Sequence, residues 1–247
     1  VFKKFQSQGF KGLFFTLFNF LNKSLNPKHT AEFPFKHLFL KKRRLIKKFT
    51  KSKLDILDDN QIINVGNYLI KKDILNSESI IYSFGIGENI GFENQISLKF
   101  NCKVYCFDPT SLAIKFMQRE IYDKTKINFS PFGIWKNDGK IKFYYQDEEN
   151  QKKSGGSITN LFETSKYEFM ECYKLSTLMK KNNHSLIDVL KLDIEGAAID
   201  VIEDIVSDKI FPRQIIVEFE YSENDSIDKI KFKNWSDRLE KLILKLK

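Results

Sequence analysis

An α/β fold with a doubly wound, mostly parallel sheet is what this sequence predicts, and three observations predict it. From Ser79 onward, short apolar runs alternate with helical patterns, as in repeated βαβ units. The first run, "SIIYSFG", passes into a glycine turn, "GIGENIG", that opens a helix. Acidic residues close the later runs, at the strand ends where open α/β sheets bind their ligands.

Each element follows from local chemistry. "SIIYSFG" reads as the first strand and "GENIGFENQISLKF" as its helix, with Ile90, Ile96 and Leu98 among the apolar positions. "CKVYCFD" is the second strand. "PTSLAIKFMQRE" begins the next helix, with Pro109 and Thr110 at its N-terminal end. "INFSPFGIW" reads as a third strand, "KNDGK" as a hairpin-like turn centred on Asp138 and Gly139, and "KIKFYY" as an edge strand. The polar "QDEENQKKSGGSITN" is a surface loop and a candidate lid, with Gly155 and Gly156 as its flexible positions. "YEFMECYKL" is a strand and "STLMKKN" a short helix capped by Ser176. "SLIDVLKLDIEG", "AAIDVIEDIVSD" and "RQIIVEFEY" supply strand, helix and strand, and "FKNWSDRLEKLILKLK" an amphipathic helix.

Charge divides the chain in two. Residues 1–54 carry fourteen Lys or Arg against Glu32 alone, while the remainder carries 27 basic and 31 acidic side chains. The net charge of +9 therefore belongs to an arm, and residues 55–247, the expected catalytic domain, are mildly acidic. Abundant Lys, Asn, Ile and Phe also fit an AT-rich coding bias, so the lysines do not argue for a nucleic-acid partner. In the arm, the apolar stretch from Phe10 to Leu25 is shorter than the roughly 20 residues that span a bilayer, and no small-residue cleavage site follows it. With "KKRRLIKKFTKSK" after it, the arm reads either as a helix lying on an anionic membrane surface or as a packing helix followed by a solvated basic face. Cys102, Cys106 and Cys172 have no metal-ligand spacing, and the first two flank one strand, so a reducing, cytoplasmic setting without disulfides is expected.

Gly85, Gly87 and Gly91 spell GxGxxxG, which departs from the dinucleotide fingerprint GxGxxG. Asp108 closes the second strand about 20 residues later, where a carboxylate grips the hydroxyls of a ribose. Together they point to an adenosine nucleoside and leave two cofactors open, a nicotinamide dinucleotide and S-adenosylmethionine. Asp193 and Glu195 in "KLDIEG", with Glu218 and Glu220 in "VEFEY", then place four carboxylates on one rim. A cationic sulfonium tolerates that rim, whereas hydride chemistry more often brings a Tyr/Lys or His/Asp pair.

The ordered run "IIYSFGIGENIGFE", "CFDPT", "SPFGIWKNDGKIKFY", "SGGSITN", "YKLSTLMK", "LIDVLKLDIEGAAIDVIEDI" and "FPRQIIVEF" resembles the FkbM-type methyltransferases from about Tyr68 to Tyr221. The resemblance implies a Rossmann-like sheet of the class I methyltransferase type, S-adenosylmethionine as cofactor, and O-methylation of a hydroxyl on a small molecule or glycan. It implies that Gly85 and Gly87 line the methionine end of the donor with Glu88 and Asn89 beside them. By the same resemblance, Asp108 holds the ribose, Phe132 and Gly133 lie near the adenine, and Asp193 lies close to the transferred methyl. The acid common at the start of such glycine turns is Ser83 here, which leaves the methionine amino group to Glu88 or to backbone carbonyls. The family's sheet has two further strands in a C-terminal hairpin, and this sequence is expected to lack them.

For the chemistry, a hydroxyl acceptor needs a base. His29 and His37 lie in the arm and His184 precedes the Asp193 strand, away from the site, so Asp193, Glu195 and Glu218 are the candidates. The same carboxylates have oxygen ligands for a divalent cation, although no metal is expected. Glu195 also reads as an acid favouring a helix N-terminus, and Glu220 as a solvated loop residue. Two other functions remain open, an NAD(P)-binding oxidoreductase and a non-catalytic, membrane-associated binding module.

Overall fold

The computed structural model describes residues 61–145, 156–160, 163–219 and 229–245. The basic arm, its boundary at residue 54, Gly155 and Glu220 lie outside them. A hairpin comes first: β1 (Ile62–Val65) pairs antiparallel with β2 (Tyr68–Lys71) through Gly66 and Asn67, with Gly66 at φ 60°. Then follow β3 (Ile80–Phe84), α1 (Gly91–Phe100), β4 (Lys103–Phe107), α2 (Ser111–Arg119), β5 (Ile127–Ser130), β6 (Gly133–Ile134), β7 (Gly139–Tyr144) and β8 (Tyr167–Tyr173). The chain continues through α3 (Leu175–Lys181), β9 (Val189–Leu192), α4 (Ala198–Ser207), β10 (Gln214–Val217) and α5 (Lys229–Lys245).

Among the described residues the central sheet has five parallel strands in the order β10-β9-β3-β4-β5. Successive strands build outward from β3 through β4 to β5, and then from β9 to β10 on its other side. The connections therefore diverge between β3 and β9, and a crevice opens there at the carboxyl ends. Alternation along each strand splits the core into two layers. Tyr82, Phe84, Leu190, Leu192 and Ile215 face α3, α4 and α5, whereas Ile81, Val104, Cys106, Val189 and Ile216 face α1, α2 and the hairpin. Helices thus cover both faces, as a doubly wound sheet requires. The C-terminal hairpin strands are not among the described residues.

Three expectations change. "INFSPFGIW" is two strands, because Pro131 has no N–H to continue the ladder; β5 belongs to the central sheet and β6 to a second one. The "KNDGK" turn does not close a hairpin. In the second sheet, ordered β6-β8-β7, β8 lies between the two strands that the turn joins, and Gly139 starts β7. Finally, Ser176 does not cap α3. Its Oγ donates to Asp208 at 2.8 Å, while Asp138 accepts from the Lys174 N–H ahead of the helix at 2.7 Å and from the Thr177 hydroxyl in its first turn at 2.8 Å. Thr110 does cap α2, accepting from the Ala113 N–H. All three cysteines are buried and unbridged. No helix among the described residues is long and apolar enough to cross a membrane.

Helix α5 docks on α4 through Leu242 and an ion pair from Arg238 to Glu203 at 2.6 Å and Asp200 at 3.1 Å. These contacts differ in weight. Ile202→Ala, which empties a fully buried site, is expected to cost about 2–5 kcal/mol in urea unfolding, and Arg238→Ala about 1 kcal/mol or less, because Arg238 is half exposed.

Candidate active site

The glycine turn is shaped by what lies behind it. Gly85 sits at φ 75°, and a Cβ there would stand 1.7 Å from the Asp193 carbonyl oxygen. Glycine is thus required for the ends of β3 and β9 to meet. The Gly85 N–H donates to Phe107 O at 3.0 Å, and the Asp193 N–H donates to Phe84 O at 3.2 Å, joining the ends of β3, β4 and β9. Gly87, at φ 52°, differs: a Cβ there would meet nothing within 4 Å. Its freedom serves the bend and leaves open space beside the backbone.

Asp108 is nearly buried just past the end of β4. Its Oδ2 accepts from the Gly87 N–H at 3.0 Å, and its Oδ1 accepts from both the N–H and the hydroxyl of Thr110, at 2.9 and 2.6 Å. The carboxylate is fixed between the glycine turn and the start of α2. Of its roughly four acceptor positions, three are engaged, and the remaining capacity is on Oδ2.

Beneath the turn lies a charged cluster that sequence reasoning did not identify. Ser83 is fully buried and donates to Glu93 Oε1 of α1 at 2.5 Å; the Glu93 side chain is 1% exposed. An acid thus stands beside Ser83 after all, supplied by the helix instead of the strand. Lys191, at the centre of an otherwise apolar buried strand, is 5% exposed at its side chain. Its Nζ donates to Gly85 O at 3.2 Å and stands 3.7 Å from Asp193 Oδ2 and 3.9 Å from Glu93 Oε1. Burial alone would lower the Lys191 pKa; Glu93, Tyr68 and Asp193 outweigh it and leave the group above its ordinary value, so the side chain stays an ammonium. Tyr68 of the hairpin donates to Asp193 Oδ2 at 3.4 Å. Burial, opposed by Lys191 and reinforced by Asp193, Glu218 and Glu93, pushes its hydroxyl up to about 12, so it acts as a donor and not as a base.

In front of the turn is a cavity of about 270 Å³. Of the residues singled out from sequence, Gly85, Gly87, Asp108, Gly133, Asp193 and Glu195 line it. Glu195 adopts φ 35° and Gly196 φ 77°, a sharp corner pinned by the Ser157 hydroxyl, which donates to Glu195 O at 2.7 Å. The others stand elsewhere. Ser83 is under the turn. Glu88 is exposed and ion-paired to Arg119 at 2.8 Å, and the Asn89 side-chain Oδ1 accepts from the Gly91 N–H at 2.8 Å. Phe132 packs edge-on against Tyr173, and Glu218 lies at the end of the neighbouring strand. Gly133 also has a packing reason, since a Cβ would stand 2.6 Å from Cys172 Sγ.

The segment 156–160 forms one wall. Ser157 pairs with Tyr144 in both directions at 2.9 Å, and Gly156 and Ile158 line the cavity. Gly156 also has a packing reason: a Cβ there would meet the Phe143 ring at 2.3 Å. His184 bonds Tyr82 at 2.8 Å behind the sheet and does not line the cavity. Among the described residues, no group of three or more His, Cys, Asp or Glu is arranged to hold a metal ion.

The topology, with strand order reversing at the glycine turn and an acidic rim beyond it, narrows the fold families that fit. The family model described as "Methyltransferase FkbM domain" matches residues 71–242. The chain belongs to the FkbM methyltransferase family. No curated protein and no solved structure matches it. Within the FkbM domain, Lys191 and Glu93 carried a sequence signal, each being a charge inside an apolar pattern. Tyr68 lies before the matched region and carried none beyond the Gly-Asn turn preceding it.

The two glycines are expected to respond differently to alanine. Gly87→Ala costs about 1–2 kcal/mol, the strain of a left-handed residue. Gly85→Ala costs more than about 3 kcal/mol, because it must also separate β3 from β9. Equal urea midpoints for the two variants would contradict this reading.

Proposed function

We propose that this FkbM-family protein is an S-adenosylmethionine-dependent O-methyltransferase acting on a hydroxyl of a small molecule or glycan. The observation that carries the donor assignment is the direction of hydrogen bonding at the glycine turn. A dinucleotide's pyrophosphate is bound there by backbone N–H groups. Here the Gly85 and Gly87 N–H groups are engaged by Phe107 O and Asp108 Oδ2, and the nearby side chains Asp108, Asp193 and Glu195 are acidic. Such a surface suits a cationic ligand with hydroxyls and an amino group to donate.

The residues fit that donor: open space at Gly87 gives close approach to the backbone, and Asp108 Oδ2 has capacity for a ribose hydroxyl. S-adenosylmethionine supplies a methyl group on positively charged sulfur. The protein's part is alignment and proton removal, and positioning alone accounts for much of such a rate. Asp193 and Glu195 reach the cavity and Glu218 does not line it, so the acceptor proton passes to Asp193 or Glu195.

Calorimetric titration with S-adenosylmethionine, S-adenosylhomocysteine and NAD tests the donor. Binding of the first two is expected, with Asp108→Ala weakening it about ten- to hundred-fold. Binding of NAD alone, or of none, would sink the reading. Mass spectrometry of saccharides, lipids and small phenols incubated with protein and donor identifies the acceptor. On that acceptor, either Asp193→Asn or Glu195→Gln is expected to slow kcat about 10²–10⁴-fold; full activity in both would place the base elsewhere.

A further inference from the structure

A charged lysine in the middle of a buried parallel strand needs a reason. At position 191 a methionine of similar length would fill the space without the desolvation cost of an ammonium, and replacing buried ion pairs by apolar side chains is often neutral or stabilising. The neighbours of Lys191 Nζ are the carbonyl of the glycine turn, the Glu93 carboxylate behind it, and the Asp193 carboxylate that lines the cavity. Two of the three therefore belong to the cavity wall, although Lys191 itself does not line it.

We propose that Lys191 and Glu93 are positioning residues that set the net charge presented to the donor's sulfonium. The inference rests on the donor assignment above. The formal charges of Lys191, Glu93 and Asp193 sum to −1. Lys191 and Glu93 are sealed from solvent, while the Asp193 side chain is 33% exposed and faces the cavity. In so dry a cluster the charges are weakly screened, and a unit change is felt several ångströms away. With no Lys191, two carboxylates would stand behind the turn and hold the cationic donor tightly. With no Glu93, the ammonium would offset Asp193 and the site's preference for a cation would weaken, leaving Asp108 and Glu195 as the acids that line it. The pair thus fixes how strongly the site prefers the charged sulfonium to the neutral thioether left after transfer. It fixes geometry as well, because Lys191 Nζ ties the Gly85 carbonyl to the carboxyl end of β9.

The readout is the ratio of dissociation constants, S-adenosylhomocysteine over S-adenosylmethionine, measured by calorimetry on the full chain. Glu93→Gln keeps an acceptor for the Ser83 hydroxyl and raises the cluster to zero; the ratio is expected to fall about ten-fold. Glu93→Gln combined with Lys191→Met returns the sum to −1, and the ratio is expected to recover to the wild-type value. A purely structural role gives the opposite order, with both ligands weakened equally and the double variant no better than the single. An unchanged ratio in Glu93→Gln, or a double variant as low as the single, would overturn the proposal. Should Glu93→Gln fail to fold, recovery of folding in the double variant with a wild-type ratio supports it, and a shifted ratio overturns it. Wild-type protein that binds neither ligand refutes the donor assignment itself, an outcome distinct from binding with an unaltered ratio.

Discussion

The contact on which the site depends is the one between the Gly85 Cα and the Asp193 carbonyl. Parallel strands β3 and β9 pair along their length, but their ends can close on each other only because residue 85 has no side chain. That closure fixes the glycine turn, sets Asp193 at the rim, and brings the Gly85 carbonyl over Lys191. Asp108 completes the frame from β4 by holding Gly87. One side of the cavity therefore comes from the ends of three adjacent strands, β3, β4 and β9, joined by backbone hydrogen bonds. Rigid elements of this kind hold a reacting geometry better than loops do.

How much of this was legible in the sequence depended on how local the cause was. The parallel order followed from βαβ alternation, and Thr110 was legible as a helix start because an N-cap acts within three residues. Gly85, Asp108 and Asp193 were legible because strand ends and glycine turns mark the ligand side of such sheets. Failures came where the partner is remote. Ser176 has the chemistry of a cap, but its hydroxyl is drawn to Asp208, 32 residues away. Glu88 looks like a ligand group, and its ion pair with Arg119, 31 residues on, has no local signal. The role of Tyr68 depends on a hairpin folding back to a strand more than a hundred residues later, which no local pattern encodes.

Glycine carried two meanings that sequence alone did not separate. Gly133 and Gly156 both line the cavity, and each also has a packing reason to be small, since a Cβ would meet Cys172 Sγ or the Phe143 ring. Among the glycines that line the cavity, only Gly87 has the open surroundings that ligand approach would use. Likewise, the strand offers no acid at Ser83, but the Glu93 carboxylate stands beside it, because the two meet across the strand–helix junction.

Asp138 ties the two sheets into one folding unit. Just before β7, the Asp138 carboxylate accepts from the Lys174 N–H ahead of α3 and from the Thr177 hydroxyl within it, while Lys174 Nζ pairs with Asp204 and Asp208 at the end of α4. Helix α3 is two turns long, too short to persist alone in water. It is therefore conditional on both neighbours, and loosening of the small sheet removes the Asp138 anchor from a helix that packs on the large one. The cavity wall that carries Gly156 and Ile158, paired to β7 through Ser157 and Tyr144, is thereby coupled to the central core through cooperativity as well as through the Ser157–Glu195 hydrogen bond.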